Sequence, residues 1–309
     1  VGYVNSISRI MKRVLILSLL LQFLAIFGFA QSEDNYSTEF ASSGEFKILQ
    51  LSDCKAISGI ERDRTTEFIK RMIDVENPQL IVVTGFTGDI ELIKSLCKSK
   101  NVYCLCLTEK EGADKIIQIR QFGKKDISHL IYCFDSYACK RKESKKAENG
   151  ITFNQIGWYR QLSKKYTLQN SGMPIPSIAF MHKPLMEYKD GFDVFGKMAK
   201  TKKGIIHKTG ECNENISCES VNSGLFTSMH ECGDIRGVFC SSNLNNNFAL
   251  VWKNIMLAYG QCSSIDYSSK GVRVIILKDG SEQFETYIRT DDNEIKDHCT
   301  YPDNFSIIK

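Results

Sequence analysis

Pro78-Gln79-Leu80-Ile81-Val82-Val83-Thr84-Gly85 is the stretch that decides the fold. Its four consecutive apolar residues leave no polar face, the pattern of a strand covered on both sides. Asn77-Pro78 ahead of it stops a helix, because proline lacks a backbone N–H and biases its predecessor toward extended backbone. Upstream of that stop, Phe68, Ile69, Met72 and Ile73 recur at helical spacing and share one face of a helix over 61–76. Lys47-Ile48-Leu49-Gln50-Leu51 reads as the strand before it. Downstream, 90–97 reads as a second helix and 102–107 as a third strand. The order βαβαβ implies a mostly parallel sheet with helices outside, an α/β fold.

Further strands are expected at 130–134, 177–181, 237–240, 248–252, 256–259, 272–277 and 283–288, the later ones antiparallel because they follow closely. A helix is expected over 154–166 and a solvated lysine-rich loop over 140–149. With 309 residues, 42% of them hydrophobic, the chain can build a substantial core. Its 25% charge and five prolines suit neither disorder nor collagen. No repeat or linker divides it. The expectation is a polar, flexible lead-in over 31–44, one domain over 45–292 and a tail over 293–309.

The N-terminal stretch reads as an address. Lys12 and Arg13 follow Met11, then an apolar run extends to Phe29, and Gly28-Phe29-Ala30 places small residues at the −3 and −1 positions before Gln31. That is the charge, length and exit chemistry of a secretory signal peptide over 11–30, with 1–10 as upstream sequence. The run, about 16 residues, is short for a bilayer span, so no membrane span is expected after cleavage. Losing Arg9, Lys12 and Arg13 with no acid lowers the net charge from +4 to +1. A near-neutral exported chain is a poor nucleic-acid binder.

All twelve cysteines lie beyond residue 30, where an oxidising compartment permits disulfides. Cys212 and Cys218 bracket a short polar loop and are the expected local bridge. Cys104, Cys106, Cys133 and Cys240 sit in apolar runs and read equally well as buried thiols. No Cys-x-x-Cys pair supports a zinc ribbon. Asn35, Asn215 and Asn304 open glycosylation sequons.

Sites in parallel sheets gather at the carboxyl ends of strands. Four such ends carry chemistry: Ser52-Asp53-Cys54-Lys55, Thr84-Gly85-Phe86-Thr87-Gly88-Asp89, Met181-His182-Lys183-Pro184 and Ser241-Ser242-Asn243-Leu244. Several ordered segments join them. These are Phe46 to Asp53, Pro78 to Gly85, Phe134-Asp135-Ser136, Gln155-Ile156-Gly157-Trp158, Pro176 to Leu185, Asn222 to Phe226, Gly237 to Cys240 and Tyr287-Ile288-Arg289.

In that order, over about 250 residues, they resemble the calcineurin-like metallophosphoesterases, in the single-domain branch related to purple acid phosphatases. The resemblance implies a four-layer αββα sandwich of two mixed sheets flanked by helices. It also implies a phosphoric monoester hydrolase using two metal ions (iron, zinc or manganese) about 3.5–4 Å apart.

The family's ligand motifs are degenerate here. Its Asp-x-His survives as Asp53, with Lys55 at the histidine. Its bridging aspartate after glycine is Phe86. Its Gly-Asn-His slot offers only Leu107-Thr108-Glu109-Lys110. The fourth motif keeps His182. Its Gly-His-Asp-His reads Ser241-Ser242-Asn243-Leu244, with Ser242 and Leu244 at the histidines. Asp53 and His182 are remnant metal ligands, His182 also the remnant catalytic histidine. The remaining histidines (His129, His207, His230, His298) match no motif.

Two divalent ions need several anionic or imidazole ligands. Phe86 and Leu244 have no lone pair, and Lys55 brings a positive charge that could pair with Asp53. The expectation is a secreted, catalytically inactive homologue without cofactor that binds an unidentified ligand or protein partner. The alternative is an active phosphomonoesterase with a reduced metal site.

Overall fold

The computed structural model describes residues 36–56, 58–109, 113–137, 150–195, 208–267 and 269–305. The upstream and signal segments, the sequon at Asn35, the lysine-rich loop 140–149 and His207 lie outside the described residues. The chain enters on β1 (Tyr36–Glu39) and continues through β2 (Glu45–Ala56), α1 (Gly59–Glu76), β3 (Leu80–Gly88), α2 (Ile90–Ser99) and β4 (Tyr103–Leu107). β2, β3 and β4 are parallel neighbours, as βαβαβ requires. Asn77 ends α1 in the left-handed region, its N–H bonded to the Ile73 carbonyl, just where the sequence places the stop.

The rest of the chain supplies β5 (Lys115–Arg120), β6 (Ile127–Cys133), α3 (Phe153–Gln169), β7 (Ser177–Phe180), α4 (Glu187–Phe195), β8 (Lys208–Thr209), α5 (Leu225–Cys232), β9 (Ile235–Cys240), β10 (Ala249–Trp252), β11 (Ile255–Tyr259), β12 (Gly271–Lys278), β13 (Phe284–Thr290) and β14 (Ile295–Tyr301). One mixed sheet has the order β14-β13-β12-β2-β3-β4, the other β1-β5-β6-β7-β9-β11-β10-β8.

Three buried apolar clusters separate four layers. Ile81 and Val83 face α1 and α2 beside Phe68, Ile69, Met72 and Ile73. Leu80 and Val82 face the other sheet, against residues such as Ile131, Ile178 and Phe239. Tyr159, Tyr188 and Met229 of α3, α4 and α5 cover that sheet's far side. Alternate side chains of one strand therefore enter two different cores, which is why 80–83 has no polar position. The αββα sandwich is the observed fold.

Several expectations are corrected. The second half of the lead-in is structured: β1 pairs in parallel with β5, and Phe40 is buried between the sheets. The start of the tail is β14, an antiparallel edge strand on β13. Among the later strands, β10–β11 and β12–β13 are antiparallel, but β11 also runs parallel beside β9. The Cys212–Cys218 bridge is not formed. All eleven described cysteines are free thiols, and Cys212 Sγ donates to the Glu214 carbonyl at 3.4 Å. Asn215 and Asn304 are exposed. Among the described residues no helix is long and apolar enough to cross a membrane.

Candidate functional site

The ends of β2, β3, β7 and β9 meet at one place. Asp53 adopts a left-handed backbone conformation (φ 48°), and Gly85 lies opposite it on β3 at φ 88°. The β2–β3 register passes from Ser52–Thr84 to Cys54–Phe86 around them. This shared kink marks where regular pairing yields to site geometry. Asp53 Oδ2 accepts from the Ser242 backbone N–H at 2.9 Å. His182 Nδ1 lies 2.9 Å from Ser241 Oγ and 3.6 Å from Asp53 Oδ1. The Tyr137 ring stacks on the imidazole, centroids 4.9 Å apart. Ser136 Oγ accepts from the backbone N–H groups of both His182 and Lys183, at 3.2 and 3.1 Å.

The hydrogen bonds assign the histidine tautomer. Ser241 Oγ donates to the Thr84 carbonyl at 2.6 Å, so its oxygen accepts from His182 Nδ1–H. The remaining imidazole lone pair is on Nε2. Burial pushes the His182 imidazole down to about 4, with Thr84 and Glu109 opposing and Lys183 adding. Burial pushes the Asp53 carboxyl up to about 7, reduced by the Ser242 N–H and raised further by Glu214. The pair is thus a carboxyl beside a neutral imidazole.

This arrangement is not a serine hydrolase relay. Such a relay uses the two ring nitrogens separately, one toward the hydroxyl and one toward the carboxylate. Here Ser241 and Asp53 both approach Nδ1, and Ser241 is 1% exposed with its proton committed to Thr84.

The donor set does not suit a metal pair. Of the residues expected as remnant ligands, Asp53 and His182 come together. Among the described residues no group of three or more His, Cys, Asp or Glu side chains is placed to hold a metal. Phe86 packs against the cluster formed by β2, β3 and α1. At Ser242 the backbone N–H, a donor rather than a lone pair, faces Asp53. Leu244 is half-buried and offers no ligand atom.

The expected Lys55–Asp53 ion pair does not form; no ion pair joins them, while Lys55 stays in register with Thr87 on β3. Asp89 stands at the start of α2, accepting from the Glu91 N–H at 3.1 Å and lying 3.5 Å from Arg62. Of the other histidines, His129 is buried beside Ser128 and Phe40, and His298 pairs with Glu285.

Thr84, Gly85, Ser136 and Ser241 stand in the motif segments with no role assigned by the sequence, and Tyr137 lies outside them. A Cβ on Gly85 would lie 2.7 Å from both Asp53 Oδ1 and His182 Nδ1, so this glycine is the floor of the site. The available signal was Ser241 standing where the family has glycine.

No family model matches the sequence. The chain is 25% identical over 292 residues to the Arabidopsis thaliana protein named "Probable inactive purple acid phosphatase 29", covering 72% of each. It is 24% identical over 299 residues to "Probable inactive purple acid phosphatase 14" of the same plant, covering 71% of each. Among solved structures it is similar to a dimetal phosphatase from Danio rerio. The TM-score there is 0.57 at 7% identity, over 84% of this chain and 99% of that one, a likeness of fold.

Proposed function

We propose that this chain, which is similar to proteins named inactive purple acid phosphatases and shares the fold of a dimetal phosphatase, is a calcineurin-like metallophosphoesterase homologue that works as a secreted pseudophosphatase, acting by binding a ligand or protein partner rather than by hydrolysis. The observation that carries this reading is the converged strand ends, where two remnant donors stand in place of a ligand set for two ions. Dinuclear hydrolysis needs ions that clamp the phosphate and generate hydroxide, and fold alone supplies neither. The names of the Arabidopsis relatives, which call those proteins inactive, support it. Secretion rests on the charged and then apolar N-terminal stretch and the exposed sequons at Asn215 and Asn304.

The test is to purify the chain after export, measure bound iron, zinc and manganese, and assay an aryl phosphate with each metal added. The proposal predicts substoichiometric metal and no turnover. Stoichiometric metal, with turnover abolished by Asp53→Asn and His182→Ala, would establish the reduced-site phosphomonoesterase instead.

A further inference from the structure

Cys104 and Cys106 are two apart on β4 and share the face opposite Leu105 and Leu107, because side chains alternate across a strand. Their Sγ atoms lie 3.9 Å apart. Both pack at the margin of the apolar cluster beneath α1 and α2. β4 is the last strand of its sheet, and both thiols are partly exposed there. Cys106 stands in register with Val83 of β3, so the pair shares no residue with the Asp53–His182 site.

This spacing does not suit a disulfide. Residues two apart on a strand have Cα atoms about 6.5 Å apart and parallel Cβ directions, whereas an S–S bond draws the Cβ atoms to about 3.8 Å. A single atom held between the two sulfurs requires no such closure. At a metal–sulfur distance of about 2.3 Å, sulfurs 3.9 Å apart subtend about 116° at the metal.

The donor set then selects the ion. Thiolates are soft ligands, and they favour copper(I), zinc and iron–sulfur clusters. Structural zinc takes four ligands, and an iron–sulfur cluster takes four cysteines. Among the described residues no group of three or more His, Cys, Asp or Glu side chains is placed to hold a metal. Copper(I), with a filled d shell and a single charge, is satisfied by two thiolates.

We propose that Cys104 and Cys106 form a two-thiolate site for copper(I). Two thiols and one copper(I) ion give a singly negative bis-thiolate unit and two protons, which leave to water. Neither copper nor sulfur changes oxidation state. Hydrogen bonding to Cys106 raises the Cys104 thiol well above its ordinary value, so that proton leaves only as the cation arrives.

The test uses the full chain, reduced and kept without oxygen, with one equivalent of copper(I) and the chelator bicinchoninate to strip weak sites. Accessible thiols are alkylated, the copper is removed with excess chelator, and the thiols released are tagged with a second reagent. A copper-free sample is the baseline. Trypsin cleavage after Lys100 and Lys110 isolates 101–110, whose only cysteines are Cys104 and Cys106. The expected result is the first tag on both cysteines in the baseline and the second tag on both after copper. Cys212 and Cys218 should take the first tag in each sample. Cys104→Ser and Cys106→Ser should each leave the copper with the chelator, whereas Cys212→Ser should not. The wild-type peptide remains decisive if a variant does not fold. Equal tagging of 101–110 with and without copper, or copper uptake undiminished in both variants, overturns the proposal.

Discussion

Replacing Gly85 by alanine places a methyl group where Asp53 and His182 already stand. The backbone there has φ 88°, and the new Cβ would lie 2.7 Å from Asp53 Oδ1, 2.7 Å from His182 Nδ1 and 2.8 Å from His182 Cε1. A left-handed conformation costs a non-glycine residue about 1–2 kcal/mol. Neither side chain can withdraw freely. His182 is bonded to Ser241 and stacked on Tyr137, and Asp53 is held by Ser242. Breaking one or two such bonds adds about 1–3 kcal/mol. Gly85→Ala is therefore expected to destabilise by about 2–5 kcal/mol, or roughly 4–20 °C in Tm for a domain of this size.

Gly123→Ala is the control, because that residue also has positive φ (66°) but nothing within 4 Å of its Cβ. It should cost only the backbone contribution, about 1–2 kcal/mol. Urea and thermal unfolding followed by circular dichroism read both variants. Equal losses for the two would refute the claim that Gly85 is pressed against the Asp53–His182 pair.

Ser241→Ala strands the Thr84 carbonyl and His182 Nδ1, and should cost about 2–3 kcal/mol in urea unfolding, whereas a loss under about 0.5 kcal/mol would show that this hydroxyl does not hold the site. Glu219 accepts from the Ile151 N–H at 2.8 Å, and burial pushes its carboxyl up to about 7 from an ordinary 4.5. The folded state then binds this proton more tightly than the unfolded chain, so stability falls as pH rises from about 4.5 through 7. Glu219→Gln should gain on wild type by about 2–3 kcal/mol across that window, and parallel pH–stability curves would contradict this.

Glu76 is the opposite case. Its burial favours the neutral form, but hydrogen bonds from Tyr287 (2.6 Å), Arg289 (2.5 Å) and Lys47 (3.1 Å) hold the carboxyl below its ordinary value. Its stabilisation is complete above the unfolded value and lost as pH falls through the lower folded one. The advantage of wild type over Glu76→Gln should shrink on acidification below about pH 4.5, and a gap that widens would show that burial dominates.

The central βαβαβ was legible because β2 and β3 carry runs buried on both faces and its helices carry a clear apolar stripe. The edge elements were not. β1 (Tyr-Ser-Thr-Glu) is half exposed, and β14 carries lysine, aspartate and histidine on an open face, so neither shows a buried run. Their strand character comes from pairing with β5 and β13, residues far off in sequence or across a turn. At the site, the side chains of Phe86 and Leu244 carry no lone pair, a property the sequence states by itself. The partner of Asp53 could not. Spacing suggested Lys55, but the bend at Asp53 and Gly85 turns the carboxyl toward Ser242 and His182 on two distant strands. Short-range spacing does not report contacts made between strand ends.

The central claim is that the converged strand ends no longer hold a metal pair. Isothermal titration calorimetry of the full chain with manganese and with zinc tests it most directly. The account predicts no saturable uptake of two ions per chain and identical traces for wild type, Asp53→Asn and His182→Ala. Saturable binding of two ions in wild type, lost in both variants, would contradict it.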